Sequence, residues 1–165
     1  MGYRATLEST PETIQDLELS AIRRLEEATE LFLTGRHHTA IYVAGIAAEM
    51  YLKTACYFLG GAAPGDLAAP YFVAARPNAR KYVPPFSADF ESGHGLWFWS
   101  QELLARRQRR RLRRAPNRFL QVSAALYVDW YVGMRYRPGC ANVDDAARFV
   151  THVEWLANNH ALLRR

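Results

Sequence analysis

Cysteine is scarce: Cys56 and Cys140 are the only two among 165 residues, and no C-x-x-C occurs. A disulfide framework is thereby excluded, and so are the usual cysteine-based zinc sites. Long apolar runs are also missing. The longest, Ala40 to Ala48, covers nine residues, too few to span a bilayer core of ~30 Å. No secretory h-region follows Met1, so we expect a cytoplasmic chain with reduced thiols and no membrane partner. The start Met1-Gly2-Tyr3-Arg4-Ala5-Thr6 fits the loose myristoylation pattern, which short sequences meet by chance. Repeats with periods of 20–50 residues are absent, and β-type alternation is rare. The histidines His37, His38, His94, His152 and His160 lack the spacing of a zinc set. Phosphate-loop and dinucleotide glycine patterns and a nucleophile elbow are missing too. Neither a metal nor another cofactor is therefore expected.

Half the residues are apolar and 22 % are charged, an ordinary globular balance. The length suits one domain over residues 1–165, large enough to build a core without staples. The net charge of +5 is unevenly placed. Residues 1–34 carry seven acids against three bases, whereas residues 103–118 carry eight arginines and no acid. Arginine outnumbers lysine 19 to 2, and its planar fork suits phosphate oxygens.

The organising period is 3.6 residues. A first helix is expected from Pro11 to Thr34, capped by Thr10 and stopped by Gly35. Ile14, Leu17, Ala21, Leu25, Ala28 and Phe32 share one face, and Asp16, Arg23, Glu27 and Glu30 the opposite one. A second helix from His38 to Leu59 ends at Gly60-Gly61. Its stripe Ile41, Ala44, Ala48, Leu52, Ala55, Leu59 is backed by Val43, Ile46, Met50 and Tyr57, so it should be buried on both sides. Residues 61–93, with five prolines from Pro64 to Pro85 counted over 60–93, read as a long insertion with room for one short helix. A third helix starts near His94 and runs into Arg106–Arg114, a fourth spans Asn117 to Met134, and a fifth spans Val143 to Leu163 with Asn142 as N-cap. The fifth should bury Ala146, Val150, Val153 and Ala157. The expected fold is all-α, an antiparallel bundle of four or five helices with a long connection between the second and third.

Several motifs fall in a telling order. The first helix ends in a Gly35-Arg36 step. Ala40-Ile41-Tyr42-Val43-Ala44-Gly45-Ile46-Ala47-Ala48-Glu49 follows, then Leu52-Lys53. His94-Gly95-Leu96 opens the third helix, and Trp130 with Arg135-Tyr136 closes the fourth. This set resembles the HEPN superfamily, the higher eukaryotes and prokaryotes nucleotide-binding domain. The resemblance implies a helical bundle that pairs into a homodimer. It also implies one of two functions. One is a metal-independent ribonuclease of the toxin or defence type, carried by Arg-x4–6-His. The other is a non-catalytic module that binds nucleotide or RNA, often beside a nucleotidyltransferase in a two-gene toxin–antitoxin-type system. The chain has no Arg-x4–6-His; the nearest match is Arg148-x3-His152. The expectation is therefore a non-catalytic binder of nucleotide or RNA phosphates. The alternatives are a degenerate ribonuclease using Arg148 and His152 and a purely structural interaction module.

Four groups of residues are candidates. Glu49 and Lys53 form an i,i+4 pair that is either architectural or part of a site. Arg148, His152, Trp155 and Asn159 lie together on the polar side of the fifth helix, where Trp155 and Asn159 suggest a dimer interface or, second, a stacking surface. Arg109, Arg110, Arg111 and Arg113, with Arg135 and Tyr136, are the phosphate-binding candidates. The arginine run is otherwise a solvated helix end, or is partly neutralised by the acidic first helix, within or between subunits. His94 and Trp130 complete the signature positions.

Overall fold

Thr13 sets the start of the first helix. Its hydroxyl accepts from the Asp16 N–H at 3.1 Å while the Asp16 carboxylate accepts from the Thr13 N–H at 3.1 Å, a reciprocal capping box. In the computed structural model, which describes residues 12–82, 95–112, 115–131, 133–134, 139 and 141–165, helix α1 accordingly runs Ile14–Leu33. The expected cap, Thr10, and Pro11 lie outside the described residues. Two further amides of the first turn are satisfied from a distance: Ile14 donates to the Asp66 carbonyl and Gln15 to the Pro64 carbonyl, both at 2.9 Å. These are amides that a helix cannot satisfy itself.

Helix α2 (His37–Leu59) follows α1 after a tight joint. It is the centre of the bundle and packs on α1, on the third long helix and on the last helix. Ile41, Ala44, Ala48, Leu52, Ala55, Leu59 and Tyr57 are all buried. On the reverse side Tyr57 is buried, but Val43, Ile46 and Met50 are half-buried and pack on the edge of the core, so that side is covered only in part.

The stretch after α2 is more ordered than a long insertion suggests. It forms helix α3 (Ala68–Ala75) and a 3-10 turn (Arg76–Lys81). Tyr71 and Phe72 pack on the aromatic pair Tyr57 and Trp99, so apolar burial orders the segment despite its prolines. Helix α4 (Leu96–Arg109), α5 (Asn117–Asp129) and α6 (Val143–Leu163) complete the described set. The fold is an all-α helical bundle. Among the described residues no helix is long and apolar enough to cross a membrane.

Two helix ends and one buried face differ from the periodic pattern. Helix α4 stops at Arg109 instead of continuing towards Arg114, because Arg111 adopts a left-handed backbone (φ 54°). That turn places Leu112 against the core. Helix α5 stops at Asp129 instead of Met134, because Trp130 is extended (φ −138°, ψ 137°). Helix α6 buries Phe149, Leu156, His160 and Leu163 besides Ala146, Val150 and Val153, while Ala157 is half-buried. It touches α1, α2 and α5, so its apolar stripe is wider than a two-helix contact requires. Its N-cap is Asn142, as expected, and the structure adds a reciprocal capping box with Asp145.

The extended Trp130 explains the small-residue run in α2. Its indole lies directly over Gly45, where a Cβ would fall 2.0 Å from Nε1. The indole N–H donates to the Tyr42 carbonyl at 3.1 Å. In an open helix Gly→Ala gains about 1 kcal/mol. Here Gly45→Ala should instead lose roughly 1–3 kcal/mol through overpacking, read as a lower midpoint in urea unfolding with Trp130 fluorescence shifted towards that of exposed indole.

Candidate functional site

Glu102, one residue before the arginine run, divides that run in two. Its side chain is fully buried. Oε1 accepts from Arg106 Nε at 2.6 Å and from Arg109 Nη2 at 3.3 Å. Arg106 also donates through Nη1 to the Cys56 carbonyl at 2.8 Å, crossing Gly60 where a Cβ would lie 2.6 Å away. Arg107 is buried as well. Its Nη1 donates to the carbonyls of Leu162, Leu163 and Arg165 at 2.6–3.0 Å, closing the end of α6 where carbonyls lack helical partners. Arg106 and Arg107 are thus structural.

The rest of the run faces water. The Arg109 side chain is 58 % exposed despite its bond to Glu102. Arg110, Arg111 and Arg118 are exposed too, and Arg110 and Arg111 have no ion pair among the described residues. Arg106, Arg109 and Arg110 line a cleft of about 190 Å³ whose other wall is Leu59 and Gly60. Arg113, Arg135, Tyr136 and His94 lie outside the described residues.

Among the described residues no ion pair links the acidic first helix to this run. Glu18 of α1 instead binds α6, accepting from Arg164 Nη1 at 2.9 Å and lying 3.2 Å from His160 Nδ1. His160 Nε2 meets the Thr54 hydroxyl at 2.9 Å. Burial pushes the His160 pKa below its ordinary value, with Glu18 opposing. Asp16, Arg23, Glu27 and Glu30 remain exposed.

Glu49 and Lys53 form a nearly buried ion pair on α2. The Lys53 ammonium lies 5.3 Å from the Phe72 ring and 5.5 Å from Trp99. It also lines a cleft of about 390 Å³ with Leu17, Tyr57, Leu67 and Phe72. The pair joins α2 to α3 and α4, which is an architectural placement.

The polar side of α6 is less open than its sequence suggests. Arg148 donates to Asp145 at 3.0 Å and lies 3.6 Å from Asp129. These residues share a cleft of about 370 Å³ with His38 and Tyr131. His152 is half-buried, and its Nδ1 has no hydrogen-bond partner among the described residues. Burial lowers its pKa, while Asp129 raises it and Arg118 lowers it. Both of those groups belong to α5, the helix that shields this side. Trp155 is half-buried and packs on the core, with its carbonyl accepting from Asn159 Nδ2 at 2.8 Å. Trp155 therefore has packing partners within the single chain. Arg148 and His152 are brought to one side of α6, but two carboxylates already surround the guanidinium. A phosphate approaching Arg148 would meet Asp129 and Asp145 as well.

Among the described residues no three His, Cys, Asp or Glu side chains group to hold a metal ion. Cys56 is buried, its thiol donates to the Trp99 carbonyl at 3.5 Å, and burial pushes its pKa far up. Such a thiol is inert. No family model, curated protein or solved structure matches the chain.

Glu102 and Arg107 were not singled out from sequence. The Glu102-x3-Arg106 spacing is an i,i+4 pair and was available as a signal; nothing local marks Arg107 as the cap of a helix 55 residues away. Glu102→Ala should cost roughly 3–5 kcal/mol, because Arg106 loses its buried counter-charge; chemical unfolding measures this directly.

The histidines give a pH dependence. His152 and His160 both titrate below 6.5 when folded. The unfolded chain therefore binds more protons as pH falls through 6.5, and stability decreases in that window. The melting temperature should be lower at pH 5.5 than at pH 7.5, and the fall should be shallower in His160→Gln.

Proposed function

We propose that the chain is a HEPN-like module that binds nucleotide or RNA phosphates without cleaving them. In this reading it pairs as a homodimer and works with a nucleotidyltransferase in a two-gene toxin–antitoxin-type system. The observation that carries the binding role is the charge balance at the end of α4. Among the described residues, Arg106, Arg109, Arg110 and Arg111 have Glu102 as their one ion-pair partner, and Arg109, Arg110 and Arg111 are exposed. Guanidinium groups grouped in this way attract phosphate and read no base sequence.

Other observations support the family part of the reading. The Gly35-Arg36 step closes α1, Glu49 and Lys53 pair across one turn of α2, and Trp130 seats on the small-residue run. The surroundings of Arg148 support binding without cleavage. A ribonuclease needs a cation free to stabilise the phosphorane, and this guanidinium is held by Asp129 and Asp145.

The test is binding of a fluorescent 20-nucleotide single-stranded RNA in EDTA across a salt series. Affinity should fall with salt at a log–log slope of about −0.7 per phosphate contacted. The double variant Arg109→Gln, Arg110→Gln should flatten that slope by about 1.4, two contacts' worth, and the RNA should be recovered intact. Absence of binding at low salt would leave the interaction-module reading. Cleavage in EDTA that His152→Ala abolishes would establish the ribonuclease.

A further inference from the structure

The ends of α1, α2 and α4 are closed by the same device. In each, the residue after the cap donates to a carbonyl three positions back, and the next residue donates five positions back. The pairs are Gly35 to Phe32 with Arg36 to Leu31, Gly61 to Phe58 with Ala62 to Tyr57, and Arg111 to Gln108 with Leu112 to Arg107, at 2.9–3.1 Å. This is the Schellman arrangement, whose turning residue is left-handed. Glycine occupies that position at φ 77° and φ 95° in the first two. In the third it is Arg111, at φ 54°, the one non-glycine residue with positive φ among those described. A side chain at such a position is strained against its own backbone.

Among the described residues that side chain makes no ion pair or side-chain hydrogen bond, and it is exposed. The turn is made by its backbone, and the apolar anchor beside it is Leu112, which packs on the core. Interaction with the helix dipole does not account for it either. The last turn of α4 already carries Arg106, Arg107 and Arg109, whereas α1 and α2 end with no basic residue in their last turns. A further cation there adds like-charge repulsion. Strain that the fold does not need points to use of the group that causes it.

We infer that Arg111 is a phosphate-binding residue, held exposed by a hydrogen-bonded left-handed turn directly after Arg109 and Arg110 at the end of α4. The inference rests on the phosphate-binding reading and identifies the residue most specialised for it. A preorganised turn lowers the ordering cost of each contact. The ligand chemistry is a phosphate oxyanion, supplied either by a nucleic-acid strand or by a terminal polyphosphate.

The experiment compares the full chain with Arg111→Gly, Arg111→Asn and Arg111→Lys, using the 20-nucleotide RNA, inorganic tripolyphosphate as competitor, and thermal unfolding. Arg111→Gly should raise the melting temperature by about 2–4 °C. The same variant should weaken RNA binding about fivefold and reduce the salt slope by about 0.7. Arg111→Asn, which also tolerates the left-handed turn, should weaken binding equally, and Arg111→Lys should keep the slope. Competition by tripolyphosphate assigns the residue to a terminal polyphosphate; its failure to compete assigns it to a strand. The inference is overturned if Arg111→Gly binds RNA as the unaltered chain does, or if it melts at or below the unaltered chain. When Arg109→Gln, Arg110→Gln loses binding in the same series, the phosphate reading survives that result. An unaltered chain that binds neither probe overturns both.

Discussion

A single buried carboxylate decides what the arginine run can be. Glu102 has no solvent exposure, and a charge in that position is tolerable only with close counter-charges. Arg106 supplies one by lying along the same helix, and Arg109 supplies a second from near the water boundary. The same carboxyl oxygen lies 3.4 Å from Asn78 Nδ2, which draws in the segment after α3. Through Arg106 the network reaches the Cys56 carbonyl and thereby the end of α2. Guanidinium groups that would otherwise repel one another are thus sorted. Those nearest the core become part of the packing, and Arg110 and Arg111, beyond the last turn of α4, are exposed with no ion pair among the described residues.

The sorting also bears on how the two ends of the bundle differ. Where α4 ends, positive charge exceeds negative and reaches water. Where α5 meets α6, Arg148 is matched by Asp129 and Asp145. Among the described residues, the cations without a carboxylate partner lie past the end of α4, and the matched one lies between α5 and α6.

Much of the architecture was legible in the amino-acid pattern. The main apolar stripes of α1 and α2, the glycine stops at Gly35 and Gly60-Gly61 and the N-cap Asn142 of α6 all follow from local rules, and the structure has each of them. The misplaced boundaries share a cause. Arg111 and Trp130 end their helices because Leu112 and the indole are drawn to sites on other elements, and no window of neighbouring residues contains that information. The buried side of α6 was read too narrow for the same reason, since a helix touching three others needs more apolar surface than a stripe. At the candidate site, the exposed arginines were visible as composition, but the division between structural and free arginines depended on Glu102. Arg107 was beyond reach, because its partners are carbonyls at the far end of the chain.

The stitching of α1 to the segment before α3 has a consequence for local opening. The amides of Ile14 and Gln15 are protected by carbonyls of Asp66 and Pro64, while the Ala68 amide donates back to the Glu12 carbonyl at 3.0 Å. Neither partner can leave without exposing the other's backbone. The first turn of α1 and the start of α3, some fifty residues apart, therefore form one cooperative unit in hydrogen exchange. Their amides should lose protection together, at a free energy set by how firmly Tyr71 and Phe72 hold to Tyr57 and Trp99, and not by the helical propensity of either segment.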